Sequence, residues 1–190
     1  MLEVKTMLQS NFSESVDKWT EWANETKCFD IALLKIWVQF ENFVSDLFVN
    51  YSIGVSSERS YFPERKLEFE NEEHLNAFLK EGNKKYIEYF DKISNLSKHI
   101  FVDNPFDVML ATDYYNIVEQ IKTIRNYVAH ESNEAKSKFI NKCLSGNGNK
   151  FTNINDFLLS KNKSENCSYF SFYITKLLEL SELLIEKNIV

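Results

Sequence analysis

Apolar residues recur along most of this chain every three or four positions, the period of a helix with one face turned inward. In residues 12–24, Val16, Trp19, Trp22 and Ala23 keep that spacing behind Ser13, whose hydroxyl can cap a first turn. A first amphipathic helix is predicted there. Residues 29–53 are apolar almost all round: Ile36, Phe40, Phe43, Leu47 and Tyr51 form one stripe, Leu33, Trp37, Val44 and Phe48 another beside it, and Gly54 follows. Such a segment belongs at the centre of a bundle, closed by a glycine that can turn left-handed.

The pattern breaks at Ser56, Ser57, Ser60 and Pro63, and the alternation KLEFEN at 66–71 fits a short strand or plain extended chain. Helical spacing returns over 71–79, where Asn71 can cap and Glu72 and Glu73 suit the positive end of a helix, and over 84–96 after Gly82. HIFVDNPFD, around Pro105, reads as a loop. Residues 112–130 then set Tyr115, Val118, Ile121, Ile124 and Val128 on one side of a second core helix. Ser132 and Asn133 interrupt it, and Glu134 and Ala135 open a further run towards Cys143. SGNGNK at 145–150 is a loop. A short helix at 154–159 and a long one at 169–187 complete the chain, the latter with Phe172, Ile174, Leu177, Leu178, Leu180, Leu184 and Ile185 as core candidates.

The expected fold is all-α, a helical bundle with long core helices and a few short ones, in a single domain over residues 1–190. Composition agrees: 4 glycines and 2 prolines in 190 residues are too few for a turn-rich β architecture, while phenylalanine and tyrosine abound. Cys28, Cys143 and Cys167 are odd in number and far apart, without a CxxC pair, which fits a reduced, cytoplasmic chain. The N-terminus has no basic region followed by an apolar run, and Lys35, Gln39 and Glu41 break the longest apolar stretches, so neither secretion nor a membrane is expected. No Walker loop, zinc cluster or serine triad is present, and no cofactor or metal is expected.

A net charge of −6 argues against coating nucleic acid by bulk electrostatics. Charge is unevenly spread, however. Glu64, Glu68, Glu70, Glu72 and Glu73 make one acidic segment, whereas Lys136, Lys138, Lys142, Lys150, Lys161 and Lys163 are opposed within 136–163 only by Asp156. That tract is either a solvated face or a set of phosphate contacts.

It begins just after RNYVAH, residues 125–130. Residues four apart on a helix lie within about 40° of each other, so Asn126 and His130 share a face. Arg125 starts on an adjoining face, but its long side chain can bring the guanidinium to the same groove. Together they suit a phosphodiester: a guanidinium grips two phosphate oxygens, an imidazole exchanges protons near neutral pH, and a carboxamide orients either. Cutting RNA through its own 2′-hydroxyl requires a base and an acid, yet His74 and His99 stand in other segments. A two-fold dimer would supply the second set. The competing reading is structural: a guanidinium in so apolar a helix needs a partner or a cleft, and Glu41, equally out of place between Phe40 and Phe43, is a candidate partner. Tyr127, Lys136 and Lys138, with Glu41, are the candidate substrate-side residues. Tyr127, Phe139 and Phe151 are either base-stacking surfaces or core.

An arginine, then asparagine, then histidine near the end of a core helix resembles the R-x(4–6)-H signature of the HEPN superfamily (higher eukaryotes and prokaryotes nucleotide-binding). RNYVAH has the shortest spacing. The approach KHIFVDNPFDVMLATDYYNIVEQIKTIRNYVAHES and the glutamate in VQFENF extend the likeness to stand-alone bacterial members of the RiboL-PSP-HEPN kind. The resemblance implies a bundle that forms a homodimer through the motif-bearing helices and cleaves RNA without a metal. Carried over, Arg125 binds and polarises the phosphate, Asn126 orients the site and His130 is general acid or base. It further implies a toxin or anti-phage defence effector, paired with an antitoxin or other defence-system protein. The alternative is a non-catalytic RNA- or nucleotide-binding subunit of a defence complex. In members silenced by AMP transfer, a tyrosine follows two residues after the histidine; Ser132 stands there, so AMP transfer to that position does not carry over, although Tyr127 and other tyrosines are available.

Overall fold

The computed structural model describes residues 7–79, 89–146, 148 and 153–186. Its helices are α1 (Leu8–Thr26), α2 (Phe29–Ser52), α3 (Glu72–Leu79), α4 (Tyr89–Ile100), α5 (Thr112–His130), α6 (Asn133–Cys143), α7 (Ile154–Leu159) and α8 (Tyr169–Leu184), with a 3-10 turn at Asp107–Leu110. The architecture is all-α, as the periodicity requires. One two-stranded antiparallel hairpin, β1 (Lys161–Asn162) and β2 (Cys167–Ser168), is an addition the sequence did not announce.

The described residues gather into two compact units, and the chain crosses between them within α1, α2 and α8 and just before α5. The first unit draws on the stretches Met1–Phe12, Glu41–Leu110 and Leu180–Val190, the second on Ser13–Phe40 and Ala111–Glu179.

In the first unit, Phe48, Tyr51, Phe101 and Phe106 interlock edge-on or tilted, their ring centroids 6.0 to 6.5 Å apart. The Tyr51 hydroxyl donates to the Leu184 carbonyl at 2.9 Å, and burial pushes its ionisation well up. Ser57 donates to the Ile185 carbonyl at 2.7 Å, so two buried hydroxyls satisfy carbonyls at the end of α8. Gly54, at φ +85, ends α2 as expected, and an added Cβ would stand 2.8 Å from the Arg65 guanidinium, which itself donates to the Ser52 carbonyl. KLEFEN forms no strand: the chain bends at Lys66 and Leu67 and again at Glu70 and Asn71. Arg65 forms an isolated antiparallel bridge with Phe101 and nothing continues it.

Element boundaries depart from the periodicity where the partner is remote. α1 begins at Leu8, not near residue 12, and Ser13 lies inside it rather than capping it. The cause is Glu58, whose carboxylate accepts both the Ser10 backbone N–H (3.1 Å) and its hydroxyl (3.0 Å), satisfying a donor of the first turn from 48 residues away. Asn71 does cap α3, accepting from the His74 N–H at 2.9 Å. α4 runs on to Ile100, past residue 96, because His99 and Ile100 continue its last turn rather than opening a loop; the expected start at Lys84 lies outside the described residues.

In the second unit, Phe29 meets Phe170 edge-on at 5.1 Å, and the Asp30 N–H donates to the Asn155 side chain at 3.0 Å, tying α2 to α8 and α7. Along α8 the inward stripe includes Phe170 and Tyr173, while Phe172 and Leu178, expected in the core, are only half-buried. Tyr173 is admitted because the Gln120 side chain accepts from its hydroxyl at 2.9 Å. Tyr115 is a second correction: it is 48% exposed, standing near Lys142 at the rim of α5 instead of in the core.

Candidate functional site

α5 spans Thr112–His130, the bounds its spacing predicts, and its end is abrupt for a local reason. Glu131 takes the left-handed conformation (φ 48, ψ 21), and its N–H returns to the Tyr127 carbonyl at 2.8 Å. Ser132 then extends the chain, and its hydroxyl accepts from the Ala135 N–H at 3.2 Å to cap α6. Two residues therefore reverse the direction of the chain, and His130, the last residue of α5, is left exposed.

Three contacts pin α6 to α5. The Tyr127 ring stacks on Phe139 at 5.9 Å and 24°, Lys142 pairs with Glu119 at 2.7 Å, and the Cys143 thiol points at the Gln120 carbonyl at 3.9 Å. Burial pushes the Cys143 thiol up to about 12, Lys142 offsetting a little of that. Phe139 also meets Phe157 edge-on at 5.2 Å, and Phe157 stacks on Tyr169 at 4.6 Å. Phe139 is fully buried in this row, so it is core and has no face to offer a base. Phe151 lies outside the described residues.

Arg125 is half-buried, one turn before that end. Its Nη1 donates to Asn126 Oδ1 at 2.9 Å, whereas its Nε is buried without a hydrogen-bond partner among the described residues. An unmet charged donor out of water is costly, so the guanidinium is held in place without being fully satisfied. Asn126 is thereby the side chain that orients Arg125, and it shares a helical face with His130.

The remaining candidates are more scattered. Lys136 and Lys138 are exposed on α6, and Lys138 pairs with Glu134 four residues back at 2.7 Å. With Lys142 drawn to Glu119, two lysines of the tract are opposed by carboxylates that precede it in the sequence. Lys161 and Lys163 are exposed on and beside the hairpin, and Lys150 lies outside the described residues. Glu41 belongs to the first unit, half-buried in α2, where its carbonyl accepts from the Ser45 hydroxyl. His74 and His99 are exposed, also in the first unit. Sequence reasoning passed over Gln120, whose side chain and carbonyl serve Tyr173 and Cys143; a polar residue one position before Ile121 in a core helix was the available signal.

Among the described residues no group of three His, Cys, Asp or Glu side chains is placed to hold a metal ion, and no described helix is long and apolar enough to cross a membrane. Comparison with family models, with curated proteins and with solved structures finds no match to this chain.

Proposed function

We propose that the chain is an endoribonuclease of the HEPN type, working without a metal as a homodimer whose motif-bearing helices meet, and serving as a toxin or anti-phage defence effector in the cytoplasm. The observation that carries this reading is the state of Arg125: half-buried, oriented by Asn126, with a buried Nε left without a partner, on the helix that ends in the exposed His130. A guanidinium serving only the fold would be expected to satisfy its donors; the buried Nε lies out of an anion's reach, and the outer Nη donors, of which one on Nη1 is taken by Asn126, are those kept for a phosphate.

In the proposed reaction the RNA 2′-oxygen attacks the adjacent phosphorus, the bond to the 5′-oxygen breaks, and a 2′,3′-cyclic phosphate remains. His130 of one protomer accepts the 2′-hydroxyl proton, and the partner subunit's His130 gives a proton to the departing 5′-oxygen. Arg125 stabilises the charge that grows on the phosphoryl oxygens, and Asn126 keeps the guanidinium at the required angle. Lys136 and Lys138 lie one turn into the next helix, where they add screened attraction for the strand. Because Ser132 caps α6 through its hydroxyl, it has a structural task at the position where related toxins carry a modifiable tyrosine.

The test is cleavage of mixed RNA in excess EDTA by the wild-type protein, Arg125→Ala and His130→Ala, with sedimentation and circular dichroism on all three. Wild-type cleavage to cyclic phosphates, lost by a factor on the order of a hundred to ten thousand in each folded, dimeric variant, is the expected result. RNA bound but left intact by the wild type would instead assign the chain to non-catalytic binding.

A further inference from the structure

A second surface, in the first unit, has no part in this chemistry. Residues 58–79 carry six glutamates, Glu58, Glu64, Glu68, Glu70, Glu72 and Glu73, and three cations, Arg59, Arg65 and Lys66. All three cations are engaged by the chain itself. Arg59 pairs with Glu182 and Glu186, Arg65 turns inward to the Ser52 carbonyl at 3.0 Å, and Lys66 donates to the Lys98 carbonyl at 3.0 Å. Glu58 is likewise occupied, on Ser10. Glu64, Glu68, Glu70, Glu72 and Glu73 are left exposed, and no ion pair reaches them among the described residues. The Asp46 carboxyl is raised by burial first and by the neighbouring Glu72 second.

Large apolar side chains flank this strip. Phe62 is 49% exposed, Val102 44% and Phe78 57%. They are not scattered singly. The Val102 N–H donates to the Glu64 carbonyl at 2.9 Å, which brings Val102 to the start of the segment that Phe62 precedes; at its other end Phe78 packs on Phe69 at 5.3 Å. Between those ends burial alternates, Arg65, Leu67 and Phe69 turning inward and Glu64, Lys66, Glu68 and Glu70 outward. At the isolated bridge, Lys66 N–H and Glu64 C=O face residues 100–102, so the backbone of Arg65 faces the opposite edge.

We infer that this face, Phe62 and Val102 at one end, Phe78 at the other and Glu64, Glu68 and Glu70 between, docks a lysine- or arginine-rich segment of a partner protein that also carries large apolar side chains. The sign of the charge decides the class of occupant. RNA and anionic lipid are repelled by five exposed carboxylates set, within residues 62–79, against the one outward lysine Lys66, whereas a basic peptide is drawn in and loses little by burying its own aliphatic stems against the apolar ends. Exposed apolar side chains rimmed by one sign of charge are the usual mark of a recognition surface. The inference does not depend on the proposed nuclease activity.

The probe is a fluorescein-labelled peptide alternating lysine and leucine, titrated into the full chain and followed by anisotropy, with glutamate–leucine and lysine–serine peptides beside it. The lysine–leucine peptide should bind and shift backbone NMR signals of residues 62–78 and 100–103, and both control peptides should fail. Glu64→Gln/Glu68→Gln/Glu70→Gln together, and Phe62→Ser separately, should each weaken binding by about tenfold or more, the former also flattening its salt dependence. Either variant should leave RNA cleavage and the circular dichroism unchanged. Equal binding by the variants, or signals shifting mainly in residues 111–179, overturns the inference. So does self-association of the wild type that the triple variant abolishes, because the occupant would then be the lysine tract of a second copy.

Discussion

Replacing Arg125 by methionine separates a guanidinium kept for a ligand from one that holds the fold. Methionine preserves the length and apolar stem of the side chain and fills an irregular space well, so packing changes little. Three terms then compete. Removing the buried, unpartnered Nε relieves about 1–3 kcal/mol of desolvation. Losing the Nη1 bond to Asn126 Oδ1 costs about 1.5–3 kcal/mol if the bond is fully effective, but the half-buried Asn126 can recover water, which puts the loss at the low end. Fixing a long side chain also costs rotamer entropy, about 2 kcal/mol for arginine and comparable for methionine, so this term nearly cancels. The net is within about 1 kcal/mol of zero, whereas under the proposed function RNA cleavage should fall by the full contribution of a phosphate-binding group. Had Arg125 been half of a structural buried ion pair, breaking it would cost about 3–5 kcal/mol. Urea unfolding followed by tryptophan fluorescence, with the slope checked for constancy, resolves the two. A loss above about 2 kcal/mol would refute the reserved-donor reasoning.

Other substitutions probe the frame around the site. Glu131→Gly should raise stability by about 1 kcal/mol, because glycine adopts the left-handed turn at φ 48 without the strain a Cβ brings; an unchanged urea midpoint would count against it. Phe139→Ala should cost about 3–5 kcal/mol, since the ring is fully buried between Tyr127 and Phe157, and α6 should lose amide protection in hydrogen exchange before the rest. Cys143 should weaken the fold in alkali: its folded thiol is pushed up from the ordinary 9.0 to about 12 by burial, so the stabilisation is present below pH 9 and is lost as pH rises through 12. Three pH units correspond to at most about 4 kcal/mol, and Cys143→Ala should flatten the decline between pH 9 and 12, to be read from urea midpoints across that range.

The chain's own pattern determined the elements whose causes are local. α5 and α7 take the bounds their spacing predicts and α2 ends within one residue of them, because each is set by something within a few residues of its own end: the inward stripe of α5, the Gly54 turn after α2, and before α7 the Asn153 side chain, which accepts the Asp156 N–H. That Arg125, Asn126 and His130 stand on one helix was legible for the same reason, since the helical period alone places them; the contact shown among them is the bond from Arg125 to Asn126. Tertiary structure decided the rest. Glu58 extends α1 from 48 residues away, Gln120 admits Tyr173 to the core, Phe139 is spent under Tyr127 instead of facing a base, and Lys142 is drawn to Glu119 on α5. Each is a pairing between segments, or a choice among partners that only packing makes, and no period along a single segment carries that information.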